Sequence, residues 1–382
     1  MIDHGLDLLQ TRLARLGRSH EPADVAQAMR ELDMVVTDQS LLAAIDALRR
    51  HSSGAGPLDD LLSQPGVSDV LVNGADGVFV DRGSGLERTE ISCGGEEDVK
   101  RLAVRLAASV GRRLDDSQPF VDGRMRDGTR LHAVLAPIAA PSTLISLRVP
   151  AASQLTVDQL AASGSMPAEA VDLLRRIIAA KCPFLISGGT GSGKTTLLAA
   201  LLAEVPASER IVVVEDAREL NPQHPHCVRL EARPANSEGA GAITCTQLVR
   251  QALRMRPDRV VLGEVRGAEL TDLLTALNTG HEGGCGTVHA NSIADIPARL
   301  EALAALGGLS RDACHAQIAA ALRVVIHLQR APGGRRQLHQ IGVFRRSSDG
   351  LVVVDEAARL QHGALQSGPA WEQLTALLGG PA

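Results

Sequence analysis

The chain has 382 residues, a formal net charge of −5 and a pI near 6.2, enough for two or three domains with real cores. The acidic balance argues against a protein whose main task is to coat nucleic acid. Four phenylalanines, one tryptophan and no tyrosine leave little to stack on single strands, so direct nucleic-acid binding is not expected. Six dispersed cysteines without a CxxC pair read as free thiols in a reducing cytosol.

Leu6, Leu9, Leu13 and Leu16 recur at helical spacing, and "SLLAAIDALRR" forms a second helical run. Residues 1–55 are therefore expected to be a small helical appendage, closed by a linker-like "HSSGAGP". The N-terminus is not expected to be a secretory signal, and no stretch approaches the roughly 20 apolar residues of a membrane helix.

The period changes over 57–150, expected to be a mixed α/β domain. "VSDVLVNGADGVFVDRG" holds two short strands about a turn, and "EEDVKRLAVRLAASVGRRL" is helical. "PFVDGRMRDGTRLHAVLAPI" gives two strands joined at Arg126-Asp127-Gly128, and "TLISLRVP" gives another. The polar stretch 151–166 is expected to be a linker. Over 167–382 strands and helices alternate, as in a mostly parallel sheet covered by helices. The strands are "CPFLISGG", "RIVVVEDA", "RVVLGEV" and "CGTVHA", and "RVVIHLQR", "QLHQIGVFR" and "LVVVDE" complete the domain.

"GGTGSGKT", Gly188 to Thr195, fits GxxxxGK[ST], with an apolar strand before it and an amphipathic helix from the lysine onward. In such a loop the backbone N–H groups of Gly188, Gly189, Thr190, Gly191, Ser192 and Gly193 can face phosphate oxygens, aided by the helix N-terminus. Lys194 would reach the β- and γ-phosphates and Thr195 would offer its hydroxyl to Mg²⁺, with Thr196 next along the same turn. Only Lys100, Lys181 and Lys194 are lysines among 39 basic residues, so an ammonium here answers a specific need. This is a nucleotide-binding site.

Carboxylates at the C-terminal ends of parallel strands sit beside the phosphate crevice. "VVLGEVRG" supplies Glu264, and "VVVEDAREL" supplies Glu215, Asp216 and Glu219; such acids hold Mg²⁺ or orient the attacking water. "TGHEGGCGTVHANS" contributes His281 and His289. Their eight-residue spacing, without a Cys or Asp partner at zinc-like intervals, makes a poor metal site. His289 follows a strand end on the phosphate edge and is the better candidate for a γ-phosphate or inter-motif contact. For His281, which follows Gly280 at a helix end, a plain C-cap reading stands close behind.

The order of these four blocks resembles the secretion ATPase superfamily of type II and type IV secretion and type IV pili, in its Walker A, Asp-box, atypical Walker B and His-box motifs. The blocks at 67–82 and 119–138 resemble the N-terminal domain of its Tad pilus-assembly branch. The resemblance implies an α/β fold: a P-loop NTPase (RecA-like) C-terminal domain behind a mixed α/β N-terminal domain. It also implies a homohexameric ring that hydrolyses ATP with Mg²⁺. Such a ring would be cytoplasmic, docked peripherally on inner-membrane platform proteins. By position Glu219 matches the general base, with Glu215 as the alternative, and Glu264 matches the Walker B acid and a metal ligand beside Thr195. "EDAREL" carries Ala and Arg where relatives often have Thr-x or Pro-Ile. Charge on the transferred phosphoryl group calls for arginines; Arg124, Arg130, Arg148, Arg254 and Arg256 lie in matching blocks. Two alternatives stand beside it: a conjugation-type ATPase serving DNA transfer, whose site would look identical, and a nucleotide-gated assembly scaffold, against which the intact Lys194, Thr195, Glu219 and Glu264 speak.

Overall fold

A computed structural model describes residues 8–9, 12–13, 22–38, 40–42, 44–45, 54–83, 85–150, 155–235, 240–331 and 334–379. The chain divides into two compact units, 1–152 and 153–382.

In the first unit, helix α1 (Pro22–Glu31) buries Val25, Ala28 and Met29 in a small cluster with Leu9, Leu13 and Ala44. Leu6 and Leu16, expected on the same helix face as Leu9 and Leu13, lie outside the described residues, as do Ala43 and 46–50 of the second expected helix. The unit's larger core begins earlier than expected. Ala55 and Leu58, from the linker-like stretch and just after it, are fully buried against the sheet.

That sheet has six strands: β1 (Asp69–Asn73), β2 (Val78–Asp81), β3 (Leu86–Arg88), β4 (Phe120–Arg124), β5 (Arg130–Val134) and β6 (Leu144–Arg148). Their order is β3-β2-β1-β6-β5-β4, with every pairing antiparallel. One face is covered by α2 (Glu96–Ser109), whose Val99, Leu102, Ala103, Leu106 and Ala107 recur at helical spacing. Asp98 fixes the helix start by accepting the Gly95 N–H at 2.9 Å. The strands accordingly alternate buried and less buried residues, as in β1 and β5.

The second unit is built on nine strands. Six are parallel: β7 (Phe184–Gly188), β8 (Ile211–Glu215), β9 (Cys227–Glu231), β10 (Arg259–Leu262), β11 (Cys285–Val288) and β12 (Val324–Arg330). They run β12-β7-β11-β10-β8-β9, and β13 (Arg336–Arg346), β14 (Val352–Gln361) and β15 (Ala364–Ser367) extend the β12 edge antiparallel. Phe184, Ile186, Ile211, Val213 and Val261 point to one core, with α3 (Val157–Ala162), α4 (Ala168–Ala179), α5 (Lys194–Ala203) and α10 (Trp371–Leu377). Leu185, Val212, Val214, Val260 and Leu262 point to the other. There they meet α6 (Cys245–Ala252), α7 (Glu269–Leu277), α8 (Ile296–Leu306) and α9 (Arg311–Ala321). With both faces covered, the strands read as continuous apolar runs.

Where 151–166 was expected to be a linker, the structure places α3. Thr156 caps it, accepting the Gln159 N–H at 3.1 Å, and Gln159 returns the bond to the Thr156 N–H at 2.9 Å. This capping box, with Val157 and Leu160 three apart on one face, turns a stretch of polar appearance into part of the core. β9, β15 and α10 were also not expected. β9 is an edge strand whose five residues are all half-buried, so it lacks the burial contrast that marks a strand in sequence. No described helix is long and apolar enough to cross a membrane.

Candidate functional site

The loop between β7 and α5 is shaped by its glycines. Gly188 has φ +150°, and a Cβ there would stand 2.4 Å from the Leu328 carbonyl oxygen and 2.6 Å from Ser192 Oγ. Gly191 and Gly193 have φ of +69° and +95°, left-handed turns that aim successive N–H groups into a concavity. Lys194 opens α5 with its side chain folded back, only 7% exposed. Its Nζ donates to the carbonyls of Gly188 (3.0 Å) and Gly189 (2.9 Å).

The same ammonium lies 3.5 Å from His289 Nδ1. A ring nitrogen facing an ammonium presents its lone pair, so the proton sits on Nε2, which donates to Glu264 Oε1 at 2.8 Å. Burial and the Lys194 charge both hold the imidazole below its ordinary value, against the pull of Glu264. At Glu264 burial opposes ionisation, but the Arg266 hydrogen bond, with Arg266, His289 and Lys194 as neighbours, outweighs it and the carboxyl is held low. Lys194 is itself lowered, chiefly by burial. Three motifs that are far apart in sequence thus meet on three adjacent strands, β7, β11 and β10.

Glu215 ends β8 and is 3% exposed. Its Oε1 accepts the backbone N–H groups of Glu219 (3.0 Å) and Leu220 (2.9 Å), shaping the turn that carries Glu219. Oε2 is buried without a hydrogen-bond partner among the described residues. Burial raises the carboxyl to about 7, against those two N–H groups. Glu215 is therefore a poor permanent anion and a good anchor, whereas Glu219 stands exposed on the turn it anchors.

Thr195 and Thr196 are half-buried on the first turn of α5. A cavity of about 270 Å³ opens beside Ser192, Gly193 and Thr196 and is walled by Leu160, Met166 and Leu338, with Arg336 on its border. Ser192 Oγ, buried without a partner among the described residues, borders the same cavity. An orphaned hydroxyl, a loop of inward N–H groups and a lysine suit a phosphorylated ligand with an apolar end. The Thr195 hydroxyl and the Glu264 carboxylate are the hard oxygen donors that Mg²⁺ prefers.

The other expected residues are placed elsewhere. His281 precedes β11, at the strand end opposite His289, and its Nδ1 lies 3.3 Å from the Ala276 carbonyl at the end of α7. It is a helix-end contact and does not join Lys194 in this chain. The glycines after it are needed for close packing: a Cβ on Gly284 would stand 2.8 Å from the Val260 carbonyl oxygen. Arg254 and Arg256 are exposed in the turn leading into the N-terminal end of β10, the far edge of the sheet from Lys194. In the first unit, Arg124 pairs across strands with Arg130, Arg130 with Arg148, and Arg148 with Asp69. Cross-strand partners share a face, so three arginines form one row on the face away from α2, with Arg148 donating to Asp69 at 3.1 Å.

Two further residues contribute to the site. Arg266 donates from one terminal nitrogen to Glu264 Oε2 at 2.7 Å, and its other lies 3.9 Å from Asp216 Oδ2. The signal was present: Arg266 follows Glu264 by two with the buried Val265 between them, an alternation that returns a side chain to the same side. His327 on β12 lies 2.9 Å through Nδ1 from Ser187 Oγ, just before the loop. No sequence spacing could join these two, which are 140 residues apart.

The sequence model of the family described as "Type II/IV secretion system protein" matches residues 51–356. A Mycobacterium tuberculosis protein named "Putative conjugal transfer protein" is 52% identical over 346 residues, covering 86% of this chain and 98% of its own. The Legionella pneumophila ATPase DotB shares the fold at 19% identity and TM-score 0.52, covering 76% of this chain and 79% of that one. The pilus retraction motor PilT, solved with bound ADP, does so at 21% identity and TM-score 0.51, covering 79% and 80%. With the P-loop, the strand-end acids and the two-unit α/β architecture in place, the chain belongs to the type II/IV secretion ATPase superfamily.

Proposed function

We propose that the chain is a Mg²⁺-dependent ATP hydrolase that works as a ring motor for pilin assembly or export. The observation that carries this reading is the connected set Lys194–His289–Glu264 at the C-terminal edge of the parallel sheet, where phosphate crevices form in such folds. The phosphates would lie on the N–H groups of 188–193 and on Lys194, and the cavity bordered by Leu160, Met166 and Leu338 would take the ribose and base. Mg²⁺ beside Thr195 and Glu264 would neutralise charge on the β- and γ-oxygens. Glu219, exposed on a turn held by Glu215, orients and deprotonates the attacking water. His289 transmits the position of Lys194 to Glu264 through its two nitrogens.

His281, Arg254 and Arg256 face the opposite sheet edge from their own Lys194. In a ring they would serve the phosphates of another copy, and the homohexamer itself comes into the reading from the superfamily resemblance. Arg124, Arg130 and Arg148 are the further candidates for supplying positive charge. Docking on an inner-membrane platform at the cytoplasmic face belongs to the same reading, and the Tad pilus-assembly branch is its favoured setting. Service to conjugal DNA transfer is the second reading, favoured by the name of the 52%-identical relative; the site would be the same. A DNA affinity that falls steeply with salt would be its signature.

The test is ATP hydrolysis against protein concentration for the wild type, Glu219→Gln and Glu264→Gln. Turnover that rises cooperatively and drops by about 100-fold or more in both variants supports the motor. Nucleotide binding without turnover at ring-forming concentrations would move the gated scaffold ahead.

A further inference from the structure

The Glu264 carboxylate has one oxygen on His289 Nε2 (2.8 Å) and the other on the Arg266 guanidinium (2.7 Å). Arg266 is held for this task from behind. Its own N–H and that of Gly267 donate to Glu269 Oε1 at 2.6 and 2.7 Å, which clamps the backbone at the start of α7. The side chain stays 54% exposed and reaches toward the phosphate edge between Glu264 and Asp216. A guanidinium on Oε2 and a divalent cation seeking the same oxygen are competitors. A charge-assisted hydrogen bond must be given up or shared before the cation, or water from its shell, takes that position.

We propose that Arg266 is a positioning residue that competes with Mg²⁺ for Glu264 and thereby sets the Mg²⁺ concentration the site requires. The proposal rests on the reading of the site as a Mg²⁺–nucleotide site. Arg266 orients the carboxylate plane from Oε2 while His289 orients it from Oε1, so the acid is aimed before the cation arrives. The cost of that aim is a cation site that fills only when Mg²⁺ is abundant enough to displace the guanidinium.

The experiment is an equilibrium titration of the full-length chain with a fluorescent ADP analogue, first in EDTA and then at rising Mg²⁺, with no turnover involved. In Arg266→Gln the half-saturating Mg²⁺ concentration falls by about threefold to tenfold, while affinity in EDTA weakens because a cation near the phosphates is lost. Arg266→Lys keeps the charge without the fork and lies between the two. In a Glu264→Gln background the Arg266→Gln shift disappears, because the contested oxygen is gone. Half-saturating Mg²⁺ that is unchanged or higher in Arg266→Gln overturns the proposal. So does a shift that persists undiminished beside Glu264→Gln. A merely structural arginine would lower the melting temperature and leave the Mg²⁺ midpoint in place. Failure of the wild type to bind the analogue at any Mg²⁺ concentration overturns the nucleotide-site reading itself, a separate result.

Discussion

The two sheets solve different problems with the same strand chemistry. In the second unit both faces of the parallel sheet are covered, and Lys194, Glu264 and His289 converge at the row of strand ends. The first unit's antiparallel sheet has one face on α2 and leaves the other to display a row of arginines along its pleat. A covered sheet concentrates function into a few buried, mutually perturbed groups. A sheet packed on one face leaves partly exposed groups in a row along the other.

The largest effect that would sharpen this contrast is in the covered core. Phe184→Ala empties a fully buried position on β7 and is expected to cost about 3–5 kcal/mol in denaturant unfolding. A cost below about 1 kcal/mol would mean that the core is less filled than the strand pattern implies. Next, Lys194→Ala should weaken nucleotide binding and turnover by about 100-fold or more, measured by calorimetry and phosphate release.

Glu215 offers a pH test. Its folded value is raised from 4.5 to about 7, so between those values the folded chain holds a proton that the unfolded chain has lost. Stability is therefore full below the ordinary value and falls as pH rises toward 7, by on the order of 3 kcal/mol. Glu215→Gln, neutral at every pH and still able to accept the Glu219 and Leu220 N–H groups, should flatten that slope in melting curves taken from pH 4.5 to 7.5. An unchanged slope would place the pH dependence elsewhere. The smallest effect is on the open face: Arg148→Gln loses an exposed pair with Asp69 and should change stability by less than about 1 kcal/mol. A large loss of turnover with no loss of stability would show that the row serves the reaction; a large loss of stability would break the contrast between the sheets.

Much of this was legible in the sequence because the signals are local. The P-loop, the continuous apolar strands and the helical stripe of α2 each declare themselves within a dozen residues. The capping box at Thr156 was legible too, yet it was hidden in a stretch whose polar, small-residue composition suggested a linker. His281 and His289 lie eight residues apart in one motif, with β11 between them. A strand runs in one direction, so residues before and after β11 stand at opposite edges of the sheet.

The sequence by itself determined most of the elements and where the phosphate loop lies, because these rest on periodicity and spacing, and the resemblance of its four motif blocks pointed to the superfamily. Only the tertiary structure decided who meets whom. The strand order β7-β11-β10-β8 is not the order of the chain. Lys194 therefore touches a histidine 95 residues away, and Glu264 is held between His289 and Arg266. Burial, which exists only after folding, then raises the Glu215 carboxyl and lowers the His289 imidazole.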